Sequence, residues 1–439
     1  MNFINKIVIC LFFLGFNLNS YALNEKSSSP ARADWNFIVY MVSNNNLEEF
    51  AIKNISEMLQ VGSNEHVNIL IQVDTHGSPE SCRYHIQKNN AILMDVQTGG
   101  VSSVSGTPEN LFNFTEWAIR NFPSKKNALI LWDHGSGVED PSIWSRGKIN
   151  YLHDIFTLNK KTGLVELNRS LIDDKGIGFN EVFQTYLTNQ DLYAALRNIS
   201  QRLLSGRKLN ILGMDACFMA MTEIGSQVKE YADYLVGSQE VEPGYGWNYY
   251  YVLEPFRHNS MSPDRFSKHI VNSYKRAYQN THTDYTLSAI DLSEHNKLEN
   301  NIDLISGTLI SILESQDKLL LLNSLKHIRN TPSMTTSFVN RNYIDLLHFY
   351  SSLLDICVII EDNVINKGAI VRLQDLLIKG KELLSYSIIK NVNCPKLSLV
   401  GGISIYYPTS KIHSSYFKTD FAKTNAWVTF LEKYLALIK

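Results

Sequence analysis

The sequence predicts an α/β fold: a mainly parallel central sheet flanked by helices, followed by a mostly helical C-terminal region. Two observations carry this. In the first half, short and nearly uninterrupted apolar runs alternate with segments of helical periodicity, as strands buried on both faces require. Past residue 292 the periodicity becomes almost wholly helical. At roughly 100–200 residues per domain, 439 residues suggest two or three domains.

In chain order, residues 35–42 (WNFIVYMV) read as a buried strand. Asn44, Asn45 and Asn46 supply cap residues for a helix over 47–59, whose apolar positions Leu47, Phe50, Ala51, Ile55, Met58 and Leu59 share a face. Residues 67–73 give a second strand and 82–94 hairpin material. Thr107 as cap with Pro108 in the first turn opens a helix to about residue 122. Strands follow at 128–132, 209–213, 234–238 and 286–292, with helices at 189–204 and 262–278. Beyond them come helices over 298–314, 343–360 and 371–388, then one strand near 400–407. We see no internal repeat.

Residues 139–188 break this rhythm. They are too long for an ordinary connection and carry Lys160, Lys161, Arg169, Asp173, Asp174, Lys175 and several glycines, so they read as an exposed insertion. The first 22 residues read as a signal peptide. Lys6 precedes a ten-residue apolar run (7–16), and Ser20 and Ala22 stand at the two positions a signal peptidase reads. Ten apolar residues are too few to cross a bilayer, which takes roughly 20. Residues 23–34 form a leader into the fold, 35–292 the α/β domain, and 293–439 the C-terminal region. An exported protein, secreted or periplasmic, is expected.

Composition removes several classes. A net charge of −2 draws no polyanion, so nucleic acid is not an expected partner. Five cysteines, none spaced CxxC, suit neither a disulfide scaffold nor a zinc ribbon. Cys82, Cys357 and Cys394 read as core thiols or an occasional disulfide. HExxH, the P-loop and a GxGxxG after the first strand are all missing, and Ser136 is not in a GxSxG elbow.

Ligands of an open parallel sheet bind beyond the carboxyl ends of its strands. Two strands place reactive groups there: 128–132 runs into Asp133-His134-Gly135, and 209–213 into Met214-Asp215-Ala216-Cys217. If both are parallel, His134 and Cys217 leave the sheet on one edge. A thiol with an imidazole is the minimum equipment for acyl transfer through a covalent intermediate. The Gly135 and Cys217 amides then suit an oxyanion, and a helix expected over 219–230 would favour a thiolate at its amino end. Taken singly, a small core cysteine and a turn histidine are the commoner readings, and their pairing at corresponding strand ends brings the catalytic reading level with them.

Segments 35–42 with NNNLE (44–48), LWDHGSG (131–137) and MDACFM (214–219) resemble the clostripain family of cysteine peptidases. GSQE (237–240), PGYGW (243–247), TLSAIDL (286–292) and GISIYYP (402–408) continue the likeness in the family's order. The resemblance implies a caspase-like fold shared with gingipains and legumain, and cleavage after Arg or Lys. It makes His134 the catalytic histidine, Cys217 the nucleophile and Asp215 the partner of a basic substrate side chain, with Ser238 and Glu240 as further substrate-side residues. It also implies self-cleavage after a basic residue between His and Cys, the candidates being Arg146, Lys148, Lys160, Lys161, Arg169 and Lys175. Some relatives use calcium, but residues 173–176 (DDKG) lack the alternating ligands of an EF-hand; no cofactor is required and metal is left open. The expected partners are proteins or peptides with Arg or Lys before the cut bond, with no membrane association once the signal is removed. Two alternatives stand beside this: an inactive relative that binds basic peptides, and an Asn- or Asp-specific peptidase. The second would set like charges together at Asp215.

Overall fold

The computed structural model describes residues 32–74, 80–98, 103–139, 156–159, 164–167, 177–180, 183–281 and 284–439. The chain opens with β1 (Ala33–Met41), α1 (Glu48–Leu59), β2 (Val67–Asp74), the hairpin β3 (Ser81–Gln87) and β4 (Asn90–Gln97), α2 (Pro108–Asn121) and β5 (Ser124–Trp132). Thr107 caps α2 through its side chain, with Pro108 in the first turn, as the local sequence predicts. Within the insertion lie two short hairpins, β6 (Phe156–Asn159) with β7 (Leu164–Leu167) and β8 (Ile177–Asn180) with β9 (Thr185–Leu187). Then come α3 (Asn189–Asn198), β10 (Leu209–Asp215), α4 (Thr222–Val228), β11 (Ala232–Gly237), α5 (Tyr249–Leu253), α6 (Pro263–Tyr278) and β12 (Thr286–Asp291).

The central sheet has the order β14-β12-β11-β10-β5-β1-β2-β3-β4, where β14 is Ile388–Asn393. Its five inner strands, β11 to β2, are parallel, and the outer pairs on both sides are antiparallel. β1 alternates its side chains between two helical layers. Trp35 and Phe37 meet Phe266 of α6, and Phe37 also meets Tyr249 of α5. Tyr40 points the other way, against Phe114 and Asn110 of α2. Both faces are therefore buried, which is why the strand is apolar almost without interruption.

The C-terminal region packs α7 (His295–Leu313), α8 (Lys318–Asn330), α9 (Leu346–Ile360), α10 (Lys367–Ser387) and α12 (Trp427–Ile438), with the one-turn α11 (Asp420–Thr424) before the last. It is more stranded than the periodicity predicts. β14 follows α10 without a break and extends the central sheet, and β13 (Tyr343–Asp345) pairs with β15 (Ser404–Tyr406). The segment IIKNVN has β-branched residues but no turn signal before it, so the helical pattern runs over it. Among the described residues no helix is long and apolar enough to cross a membrane. Residues 1–31, with the predicted signal and most of the leader, lie outside the description.

Candidate active site

β1 starts the topology and is paired with β2 on one side and β5 on the other, so the strand order reverses there. Crevices at such reversals, beyond the carboxyl ends, are where open sheets bind ligands. Three loops converge near this point: 42–47 after β1, 133–137 after β5, and 215–221 after β10.

The register of β5 and β10 sets Asp215 beside Trp132, so the following loops start level. They then touch. A Cβ on Gly135 would stand 2.5 Å from the Cys217 carbonyl oxygen, 2.9 Å from Ala216 Cβ and 3.0 Å from the Cys217 nitrogen. Only glycine lets the two backbones approach this closely. The Gly135 amide donates to the Cys217 sulfur, and the Glu242 amide donates to it at 3.2 Å. Phe218, next along, has φ +62, a left-handed conformation costing a non-glycine residue about 1–2 kcal/mol. Its amide is held by the Glu240 carbonyl and that of Ala220 by the Ser238 carbonyl.

His134 is oriented by two residues that sequence reasoning passed over. The Asp133 carboxylate accepts the His134 amide at 2.6 Å, the Asn45 side chain at 2.8 Å and the Phe179 amide. It thereby ties the 42–47 and 133–137 loops to β8. Asn46 Oδ1 lies 2.7 Å from His134 Nε2. An amide oxygen only accepts, so Nε2 carries the proton and Nδ1 is the basic nitrogen. The asparagine triplet was expected to cap a helix. Asn45 keeps part of that use, its Oδ1 accepting the amide of Leu47, the N-cap of α1, at 2.8 Å, but its Nδ2 serves Asp133 and Asn46 serves His134.

Both reactive groups are closed off from solvent: Cys217 is 3% and His134 1% exposed. Burial pushes the thiol up to about 12, reinforced by the Glu242 and Glu240 carboxyls against the two amides that donate to it. Burial alone brings the imidazole down to about 3. At neutral pH the closed site thus holds a thiol and a neutral imidazole rather than an ion pair. The expected helix-dipole activation is absent as well. α4 starts at Thr222, five residues past Cys217, whereas the dipole acts within about one turn.

Asp215 lies at the base of this region. It accepts the Trp247 amide at 3.1 and 3.2 Å and the Tyr249 hydroxyl at 2.8 Å, and burial raises it to about 7. Ser238 shares a 2.9 Å bond with Thr286 and donates to the Glu240 carbonyl. The Glu240 carboxylate takes the amides of Val241 and Val339. Ser238 thus fastens the 238–242 segment to β12 and Glu240 fastens it to the C-terminal region, and the acidic group that faces Asp215 is Glu242. The C-terminal region also holds the start of the insertion: Tyr343 donates to the Ser136 carbonyl, and Asn340 and Asn342 bind Glu139.

Arg146, Lys148, Lys160, Lys161, Arg169 and Lys175 lie outside the described residues, as does the acidic 173–176 stretch. Among the described residues no group of three or more His, Cys, Asp or Glu side chains is placed to hold a metal ion. The four described cysteines, Cys82, Cys217, Cys357 and Cys394, are free and buried.

Comparison with known proteins gives a consistent picture. The clostripain family model matches residues 39–152 and 162–434. A search of curated proteins returned no match. Among solved structures, a secreted C11 cysteine protease from Bacteroides thetaiotaomicron, "iotapain", matches with a TM-score of 0.61 at 15% identity, covering 92% of this chain and 100% of that one. A secreted C11 cysteine protease from the same organism, in complex with an irreversible peptide inhibitor, gives 0.57 at 18% over 90% and 100%. An inactive zymogen C11 protease from Parabacteroides distasonis gives 0.56 at 16% over 90% and 99%. At these identities the likeness speaks for the fold.

Proposed function

This chain belongs to the clostripain family of cysteine peptidases, and from that premise we propose that it is an exported endopeptidase cutting after Arg or Lys. Cys217 is the nucleophile. His134 removes the thiol proton through Nδ1 as the sulfur attacks the substrate carbonyl, then returns that proton to the departing amine. The resulting thioester is hydrolysed by a water that His134 deprotonates. The Gly135 and Cys217 amides donate to the oxyanion in both steps. Asp133 and Asn46 keep the histidine in place, and Asp215 meets the basic side chain before the cut bond.

The observation that carries this reading is the contact between Gly135 and Cys217. It brings residues 82 positions apart, at the ends of adjacent parallel strands, within hydrogen-bond reach of one sulfur. The buried thiol and imidazole agree with a latent form that opens on maturation. Self-cleavage in the 139–188 insertion, after Lys160, Lys161, Arg169 or Lys175, is the expected trigger, and residues 1–22 direct export.

Fluorogenic peptides differing only in the residue before the cut bond test the proposal. Cleavage after Arg or Lys, abolished by Cys217→Ala while peptide binding persists, is expected. Preference for Asp or Asn would remove Asp215 from its role. Full activity of Cys217→Ala would remove the mechanism. Mass spectrometry of the purified protein reads out the signal cut and any internal cut.

A further inference from the structure

Tyr343 belongs to the C-terminal region, yet it stands between the two loops that carry His134 and Cys217. It is fully buried, and its hydroxyl donates to the Ser136 carbonyl at 2.5 Å and accepts the Glu139 amide at 3.2 Å. A phenol has one proton to give, and this one goes to the His134 loop. The ring faces the other loop. It meets Phe218 edge-on, with centroids 5.6 Å apart and planes at 71°. Phe218 follows the cysteine directly and is the residue at φ +62, a conformation that persists only where the surroundings hold it.

Gly137 lies where these contacts meet. It turns the His134 loop at φ +71, and a Cβ there would stand 2.6 Å from Met221 Sδ, 2.8 Å from Tyr343 Cε2 and 3.0 Å from the Phe218 carbonyl oxygen. The two loops thus approach twice, at Gly135 directly and at Gly137 with Tyr343 as third partner. The tyrosine itself is mounted on the cysteine side. β13 carries it and pairs with β15, Tyr343 opposite Tyr406. β15 in turn joins the end of the Cys217 loop. Ser404 bridges to Met221, its amide and hydroxyl donate to the Ala220 carbonyl at 2.9 and 3.1 Å, and the Tyr406 amide donates to Glu223 at 2.9 Å. The His134 loop has further holds past the turn. Asn189 of α3 donates to the Gly137 and Val138 carbonyls, and Asn340 and Asn342 donate to the Glu139 carboxylate.

We propose that Tyr343 is a positioning residue for the reaction: through its hydroxyl it sets the His134 loop against the loop that carries Cys217, so the C-terminal region supplies part of the catalytic geometry. This rests on the reading of His134 and Cys217 given above and goes beyond it. Without the hydroxyl, the Ser136 carbonyl and the Glu139 amide each lose a partner, and the turn at Gly137 drifts from the cysteine side. A shift of about 1 Å between reacting groups is worth up to about 10² in rate. The Gly135 amide moves with the turn, and a sulfur that loses an N–H donor holds its negative charge less well.

The test uses the full chain, incubated until any self-cleavage is complete. Tyr343→Phe keeps the ring on Phe218 and removes only the hydroxyl. Its kcat on an Arg or Lys peptide falls about ten- to hundredfold, with KM within about threefold and Tm lower by a few degrees at most. A second readout needs no peptide. The pH midpoint for alkylation of Cys217 by iodoacetamide, located by mass spectrometry, moves upward in Tyr343→Phe. Asn342→Ala loosens Glu139 but spares the tyrosine, and changes kcat less than about threefold. A kcat within about threefold of wild type in Tyr343→Phe, an unmoved midpoint, or an Asn342→Ala as impaired as Tyr343→Phe overturns the inference. Full activity of Cys217→Ala would overturn the underlying reading of the nucleophile instead.

Discussion

Replacing Gly135 by alanine asks the most of the site for the least chemical change. The new methyl would meet backbone and a packed Cβ at 2.5 to 3.0 Å, none of them the far end of a flexible side chain. Relief requires moving the 133–137 loop away from Cys217. Overpacking of this kind costs about 1–3 kcal/mol, which in a protein of this size lowers Tm by several degrees at most. Catalysis pays far more, because the Gly135 amide leaves the sulfur and the oxyanion together. Loss of one oxyanion donor costs about 10²–10³ in kcat. The expected outcome is therefore a folded protein with at least a hundredfold lower kcat and little change in KM. The assay is steady-state cleavage of an Arg peptide beside a thermal melt of the same sample. Activity within threefold of wild type would refute the argument, because the loops would then not need to touch.

Other expectations follow from the same geometry. Asn46→Ala frees the His134 ring, so kcat falls by up to about 10²-fold with Tm nearly unchanged, and the acidic limb of the pH–rate profile moves. Gly307, in the middle of α7 with open space where a Cβ would go, is the converse control: Gly307→Ala raises stability by about 0.5–1 kcal/mol in a denaturant titration and leaves kcat alone. Stability also depends on pH through buried carboxyls. Asp74 at about 6, and Asp215, Glu223 and Glu240 at about 7, sit above their unfolded values, so the folded chain holds more protons between them. Their contribution is present at acidic pH and lost as pH rises through the folded values. His134, at about 3, works in the opposite sense, its contribution being lost as pH falls below about 6.5. The carboxyls outnumber it, so Tm falls between about pH 5.5 and 8, and Asp215→Asn flattens the fall. A Tm rising over that window would contradict the burial described.

How much of this is legible in the sequence depends on whether a residue's role is local. β1, β5 and β10 are readable because a strand buried on both faces needs an apolar run, and Trp35, Phe37 and Tyr40 supply it on alternating sides. Strand direction then brings His134 and Cys217 to one edge without knowledge of any contact. Asn46 was misread because an asparagine before a helix has a strong local use as a cap, and the tertiary bond to His134 leaves no trace in spacing. Glu242 gives no local signal either. It sits just before Pro243, as a loop acid would, and its burial arises only when 238–242 folds back over Cys217. β14 is hidden by continuity, since nothing punctuates the junction of Ser387 and Ile388.

The insertion leaves the sheet from the end of β5 and returns ahead of β10, and those two strands are hydrogen-bonded neighbours. Scission anywhere between 140 and 176 therefore divides the polypeptide without dividing the molecule. The upstream piece keeps β1 to β5, the downstream piece keeps β10 to β12 and β14, and the seam between them runs through the middle of the core. A nicked sample should migrate as one body on a sizing column and as two bands in detergent, with His134 in the smaller piece and Cys217 in the larger.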